Sequence, residues 1–421
     1  MPAFSRIRSK SGYLKNLAVP LCIILFIICL VKYSNTAIAS ALKAVNLWLD
    51  VVLPSIFPFL VASEILNQTG FIKSIGYFFE PVMRPIFNLP GSASYPFVLG
   101  LVSGYPIGAK ATAGIRRDKL ISKSEAERLL AFCNNASPLF ITGAVSTAML
   151  KAPFLGPLLL ICHIASSVTI GILFGFAARK NMMNRKIKTG SYSDNYNNKY
   201  NGNGNKKVKY NNNGKKAYSV KTYAISSLLR NAVVNSMATM LSIGGFIILF
   251  SIISGILAES GIFNFIKDGN AKHVLTAIVS GFLEITTGLS KVCELQDVSS
   301  LFKLVLISIF TGWGGMSVHS QVLNAINDTD LSIKVYLLGK IMQSILAGAY
   351  TYIGLKITGF HLLMSDLSRE ASIILHVPGS AAWKQYLITS CKYLLIFLIF
   401  TLLIDIFSYN KIRFLKNKKS S

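Results

Sequence analysis

The sequence predicts an all-α polytopic membrane protein made of two inverted repeats, each with a broken or re-entrant helical segment, as in transporters. Three observations predict it: the apolarity of the chain, a weak internal repeat, and helix-spoiling residues at matching places. Of 421 residues, 52% are hydrophobic, and the mean hydropathy is +0.51. The runs Ala18–Val31, Phe154–Phe176, Gly244–Leu257 and Tyr393–Phe407 are nearly free of charge. They approach or reach the roughly 20 residues that cross a bilayer.

The net charge of +26 points at first to nucleic acid. Its distribution argues for a membrane instead, because Lys and Arg gather in loops and tails beside the apolar spans. The partner implied is the lipid bilayer, and no nucleic acid is expected. The first run reads as a retained span, since Lys32 and Tyr33 follow it without a small-residue cleavage site. The six cysteines, Cys22, Cys29, Cys133, Cys162, Cys293 and Cys391, show no CxxC and no ligand spacing. They read as small buried residues, with no metal site.

Residues 184–221 differ from everything around them. The stretch "NRKIKTGSYSDNYNNKYNGNGNKKVKYNNNGKKAYSVK" is too polar to bury a core, and predicts a disordered cytoplasmic linker. It divides the chain. Residues 1–35 hold the N-terminal tail and first span, and 36–178 the first membrane repeat. The basic Asn-rich linker covers 179–222. A second, Gate-like repeat follows over 223–356. An outer loop, the last span and a basic tail occupy 357–421.

The halves match in short stretches. "EILNQTGF" (64–71) parallels "GILAESGI" (255–262), "LVSGY" (101–105) parallels "IVSGF" (278–282), and "AFCNNASPLF" (131–140) stands where "IFTGWGGMSV" (309–318) stands later. Three matches in one order indicate an internal repeat.

Loop charge then orients the spans. Arg6, Arg8, Lys10 and Lys15 put the N-terminus inside. Span one (17–33) goes out, a helix over 49–66 returns, and the loop with Lys73 and Arg84 is cytoplasmic. Arg116, Arg117, Lys119 and Lys123 are cytoplasmic as well. Both flanks of 94–110 therefore lie inside, and the segment reads as a re-entrant hairpin. Spans at 129–150 and 153–178 lead to the linker, and 238–257 crosses out again. The second hairpin, 273–291, is flanked by Glu259, Asp268, Glu294 and Asp297, which suit the outside. Spans at 301–322, 333–356 and 388–408 follow, and Lys411, Arg413 and Lys416 put the C-terminus inside. The pattern closes with the halves in opposite orientation, a transporter layout in which solute and coupling-ion sites lie near the midplane.

The breakers in this scheme are Gly104, Pro106 and Gly108 in the first hairpin, Gly281 and Gly288 in the second, and Gly312, Gly314 and Gly315 in the later Gly-rich span. The alternative is that these small residues only let helices pack closely. Glu284 is the most informative polar residue. An acid at mid-span costs about 2.5–3.5 kcal/mol to insert, so it faces a cavity, a partner or an ion. The alternative is an acid reaching the surface from a shallower segment. Thr286 and Thr287 add hydroxyls beside it. Asn134, Asn135 and Ser137, just before Pro138, suit a polar solute or the carbonyls of a broken helix, or glue helices together. Tyr105 stands at the first hairpin. "TGWGGMSVHSQ" carries Ser317, His319, Ser320 and Gln321. His319 is either a proton shuttle or a hydrogen-bonded structural residue. Lys110 and Lys340 are candidate charge partners. Lys340 faces Glu284 in this reading, and Lys110 snorkels to the interface. Phosphate-loop, metalloprotease and hydrolase signatures are missing. The chain therefore reads as a non-enzyme without a cofactor, its coupling open to H⁺ or Na⁺.

The stretches "LPSIFPFLVASEIL" (53–66), "SGYPIGAKA" (103–111), "LISKSEAERLLAFCNNASPLFITGAV" (120–145) and "GFLEITTGL" (281–289) resemble the YlbJ-type sporulation integral membrane proteins of spore-forming Firmicutes. The resemblance runs from about residue 40 to 408 and excludes the Asn-rich linker. It implies kinship with nucleoside-recognition (Gate) proteins: concentrative nucleoside transporters, spore maturation proteins and ferrous iron transporters. It also implies a role in spore cortex formation, in the mother-cell or forespore membrane. It carries over no site residue. Two functions compete: a transporter-like protein moving or binding a small polar solute, and a membrane scaffold recruiting cortex-assembly or signalling partners. Oligomeric state is not legible.

The orientation is testable by cysteine labelling in a Cys-free chain in intact cells. Single cysteines at 94–110 should react with an impermeant thiol reagent only from the cytoplasm. Those at 273–291 should react only from outside. Labelling of either segment from opposite faces at its two ends would make it an ordinary span.

Overall fold

The computed structural model describes residues 20–68, 71–189 and 225–357. Among them every regular element is a helix. The expected linker beyond Thr189 and the expected outer loop, last span and tail beyond Ile357 lie outside the described residues. So do the basic residues of the N-terminal tail.

Helix α1 (Pro20–Lys32) meets the next helix at 95°. Its Leu and Ile side chains are exposed along its length, as a lipid-facing segment requires. Helix α2 (Ser34–Leu47) runs through a π-helical turn, Trp48–Val52, into α3 (Leu53–Gln68). The segment expected as a loop around Lys73 and Arg84 is instead helix α4 (Phe71–Phe87). Met83 and Phe87 lie four residues apart on its buried face, and Arg84 pairs with Glu80 on the other. This i, i+4 segregation is what a helix at the edge of a core needs.

The first hairpin consists of α5 (Ser94–Val102) and α6 (Ile107–Arg117). After it come α7 (Lys123–Cys133), a break, and a π-helix, Phe140–Met149. Ser122 and Glu125 close a capping box at the start of α7. The long helices α8 (Gly156–Thr189) and α9 (Ile225–Glu259) follow. Helix α8 continues into the opening of the 179–222 segment expected as linker. The second hairpin is α10 (Gly269–Leu283) and α11 (Ile285–Glu294). A second broken helix, α12 (Ser300–Trp313) and α13 (Gly315–Ile326), and then α14 (Ile333–Ile357) complete the described chain.

Three of the described helices, at 153–180, 226–259 and 300–326, are long and apolar enough to cross a membrane, and α1 with α2 makes a bent fourth. The hairpin arms differ in kind. Arms of 9, 11, 15 and 10 residues are about 14 to 23 Å long at 1.5 Å per residue, short of a 30 Å hydrocarbon core. The order hairpin then broken helix thus occurs twice.

Glycine sets how closely the hairpin arms pair. A Cβ on Gly100 would lie 1.6 Å from the Cys133 carbonyl oxygen, and one on Gly108 2.2 Å from it. The two arms of the first hairpin therefore close around the last turn of α7. In the second hairpin a Cβ on Gly288 would lie 2.1 Å from the Gly281 Cα, and one on Gly281 2.4 Å from the Phe310 ring. Gly100 and Gly108 thus approach each other across the arms of the first hairpin, and Gly281 and Gly288 across those of the second. Gly108, Gly281, Gly288 and Gly312 sit inside helices, so they are contact glycines rather than the breakers expected. The "LVSGY" and "IVSGF" stretches are consequently out of step: Gly104 is at the tip of its hairpin, and Gly281 is one turn before the tip of the other. Around these elements α9 packs on α2 and α3, while α14 packs on α7, α8 and α12.

Gly100→Ala should destabilise the folded protein by about 3 kcal/mol, since backbone rather than a flexible side chain must move. Gly114→Ala, on α6 with nothing within 4 Å, should be neutral or gain up to about 1 kcal/mol of helix propensity. Thermal unfolding of the two variants in one detergent checks both; equal effects would contradict the packing.

Candidate functional site

Four chain breaks meet at the centre of the bundle. They lie at residues 103–106, at 134–138, at Glu284 and at Gly314. Each ends one helix and begins another, so each frees carbonyl and N–H groups that have no helical partner. Inside a membrane those groups need protein partners or trapped water.

Within each half the two breaks touch. Gly104 has φ +84°, and a Cβ there would lie 2.9 Å from the backbone nitrogen of Ser137. Gly315 also has φ +84°, and a Cβ there would lie 3.0 Å from the nitrogen of Ile285. Left-handed φ and close backbone approach both favour glycine. Across the halves, the Tyr105 hydroxyl donates to the carbonyl of Thr311 in the last turn of α12.

Glu284 is fully buried and caps α11. One carboxylate oxygen accepts from the Thr286 backbone N–H at 3.0 Å and from its hydroxyl at 2.9 Å; the other accepts from the Thr287 N–H at 2.6 Å. A helix N-terminus with its positive dipole end is a natural holder for such an acid. The Thr287 hydroxyl also bonds Ser251 on α9, at 2.7 Å. Ser137 plays a lesser capping part, its hydroxyl accepting from the Phe140 N–H at 3.2 Å.

Between the breaks is a partly enclosed cavity of about 40 Å³. One wall is polar, made by Tyr105, Ser137, Glu284, Thr286, Ser317 and Gln321. The rest of its lining is apolar: Val52 and Ile56 from the α2–α3 rod, Ile243 and Ile247 from α9, and Phe140, Ile285 and Val318 beside the breaks. The start of α13 has no side-chain cap, and the buried Ser317 hydroxyl in its first turn has no hydrogen-bond partner. Such a cavity suits one small polar group plus water.

Asn134, Asn135 and His319 belong to a separate buried network on α14. Asn134 donates through Nδ2 to the Tyr336 hydroxyl at 3.3 Å, and that hydroxyl bonds His319 Nδ1 at 3.0 Å. The Lys340 ammonium donates to the Asn134 carbonyl and, at 2.8 Å, to Gln343 Oε1. Gln343 Nε2 in turn donates to Asn135 Oδ1 at 2.9 Å. Asn135 Nδ2 and the Ser167 hydroxyl both donate to the Phe132 carbonyl, at 2.8 and 2.7 Å. His163 accepts from the Ala136 N–H at 3.1 Å.

Lys340 is therefore not the partner of Glu284. The acid is committed to the N-terminus of α11 and the ammonium to the C-terminal end of α7, each at the helix end of opposite polarity. Lys110 is exposed and donates to Thr239 Oγ1 on α9 at 3.1 Å. His319 Nε2 and Asn134 Oδ1 are buried without a partner. Sequence reasoning singles out Lys340 but not Tyr336, Gln343, His163, Ser167 or Gly100. Tyr336, Lys340 and Gln343 form a polar stripe at i, i+4, i+7 on an apolar helix, a signal the sequence carries. His163, Ser167 and Gly100 have no comparable pattern.

These features define a class: an integral, multi-pass, all-α membrane protein whose buried polar centre is built from broken helices. Residues 49–152, which contain the first hairpin and first broken helix, match the Gate family, described as nucleoside recognition. The chain is 30% identical over 336 residues to the sporulation integral membrane protein YlbJ of Bacillus subtilis (strain 168), covering 76% of this chain and 78% of that protein. It belongs to the YlbJ family of sporulation integral membrane proteins. No solved structure matches it.

Glu284→Ala should cost about 2 kcal/mol or more, because two N–H groups of α11 lose their acceptor in a buried place. Glu284→Gln keeps one carbonyl oxygen and should cost about half as much. Unfolding midpoints check the order. A Gln variant as unstable as the Ala variant would show that capping is not what Glu284 contributes.

Proposed function

We propose that this protein is a transporter-like membrane protein of sporulation that binds, and moves, a small polar solute at the cavity between the four breaks. The observation that carries the reading is the convergence of both hairpin tips and both broken helices on one small cavity with polar side chains in its lining. Broken helices next to a midplane cavity are how secondary transporters build solute sites, since irregular backbone at that depth is tolerated where it lines a cavity.

The two halves are inverted repeats in this proposal. Two surface contacts between the halves support it. The open end of the first hairpin is held to the α13–α14 loop, with Arg116 bidentate on Asp330 at 2.8 and 2.9 Å and Arg117 paired to Asp328. The Arg116 guanidinium holds the Asp330 carboxyl below the usual carboxylate range, so this contact persists at neutral pH. The open end of the second hairpin pairs separately, Glu294 with Lys43 on α2 at 3.3 Å. Loop charge puts the first cluster on the cytoplasmic side and the second outside, with both termini cytoplasmic. A Gate-like character for residues 223–356 follows from the same inversion.

With about 40 Å³, the cavity holds an ion or a few waters, at roughly 10–15 Å³ each. The form described is thus closed, and a larger solute requires the hairpins to part from the α2–α3 rod and α9. Spore cortex formation, in the mother-cell or forespore membrane, is the process the family membership suggests.

The test is a sporulating host carrying the chain as its sole copy. Ser317→Leu, which fills the cavity, should lower heat-resistant spores at least about tenfold with the protein still in the membrane. Leu338→Ala, on the exposed face of α14, should leave spore counts unchanged. Normal spores from the Ser317→Leu strain would remove the central site from the function.

A further inference from the structure

The end of α7 is where a helix stops inside the protein with its carbonyls loose. Its C-terminal dipole end is negative, and freed carbonyls of this kind are cation ligands. In this chain the position is filled. The Lys340 ammonium, on a residue with no exposed surface, donates to the Asn134 carbonyl and to Gln343 Oε1 at 2.8 Å. The face of the Tyr105 ring lies 5.6 Å away. The titratable side chains close enough to feel its charge are Cys133 of α7, His163 of α8 and His319 of α13. None is a carboxylic acid, and among the described residues no carboxylate lies within ion-pair distance of Lys340. A buried charge without a counter-charge is costly unless dipoles replace water around it. Here the dipoles are the end of α7, the Gln343 amide and the Tyr105 ring. Asn134 Oδ1, fully buried and without a partner, leaves one more oxygen in the same residue.

We propose that residues Asn134, Gln343 and Tyr105 form a monovalent-cation site at the α7 break, and that the Lys340 amino group is its tethered occupant. The site takes ammonium-like or alkali cations by neutral oxygens and a ring face. With Lys340 in place it takes none from solution, so the protein does not bind Na⁺ there. This extends the transporter reading by naming what holds the ion position of the first half. Its test reads stability rather than transport or spores, so the two fail separately.

The experiment is thermal unfolding of the full chain in detergent, in sodium, n-propylammonium and choline chloride at equal ionic strength. The wild type should unfold at one temperature in sodium and in choline. Lys340→Ala vacates a space the size of propylammonium. This variant should unfold lower than wild type and be raised by about 3 °C or more in propylammonium or sodium over choline, a shift of the size one recovered interaction gives. A Lys340→Ala protein that folds and unfolds alike in all three salts overturns the proposal. So does a sodium-specific rise in the wild type. Lys340→Met fills the space without charge and should unfold at least about 3 °C below wild type, with no salt preference. A Met variant as stable as wild type overturns the proposal even if the Ala variant does not fold, because the carbonyls then need no cation.

Discussion

A helix that stops inside a membrane leaves up to four carbonyls behind it and four N–H groups ahead of it, and lipid supplies partners for neither. Four such stops meet in this protein, and much of its buried polar chemistry answers them. Glu284 takes the N–H groups at the start of α11. Tyr105 takes a carbonyl at the end of α12. Trp313 Nε1 takes the Phe282 carbonyl at the end of α10, at 3.1 Å. Lys340, Asn135 and Ser167 take the carbonyls that close α7. The buried acid and the buried lysine belong to one pattern, each placed at the helix end whose dipole suits its sign.

The same constraint explains the glycines. For one break to be satisfied by another, backbones must come within van der Waals reach of each other. Gly104 on Ser137 and Gly315 on Ile285 do this at the tips, and Gly100 and Gly108 do it around Cys133. Side chains on these residues would separate the tips and admit an uncontrolled path of water. What remains between the tips is a small cavity with one polar wall, and the Ser317 hydroxyl left over within it. A site of this kind is a by-product of breaking helices that a transporter puts to use. Part of the cavity's apolar lining, Val52, Ile56, Ile243 and Ile247, comes from α2–α3 and α9, outside the hairpins and broken helices.

Much of the architecture was legible. Apolar runs identify the class, Pro and Gly mark the first hairpin tip, and in the second hairpin Gly281 and Gly288 look like the breakers although the tip lies at Glu284. "CNNASP" and "TGWGG" marked the two broken helices. The reading went astray where spacing alone was asked to specify a pairing. Glu284 and Lys340 looked like an ion pair because both are charges in apolar segments; each instead found a helix end, which sequence distance does not display. Asn134 and Asn135 looked like solute ligands beside Ser137. A helix break rotates successive residues in different directions, so only Ser137 faces the cavity. The two "VSG" stretches look equivalent in sequence, but Gly104 stands at its hairpin tip and Gly281 inside α10. Helix α4 was missed because its polar face resembles a loop in charge and its Pro81 and Pro85 resemble breakers.

The sequence by itself determined the medium, the helices and the places where helices fail. These are properties of apolar run length, charge position and backbone chemistry, all local along the chain. Only the tertiary structure decided which breaks meet, which dipole each buried charge serves and which hydroxyl is left without a partner. Those depend on contacts between residues far apart in the chain, such as the 208 positions from Asn135 to Gln343, and on backbone approaches that no local pattern encodes.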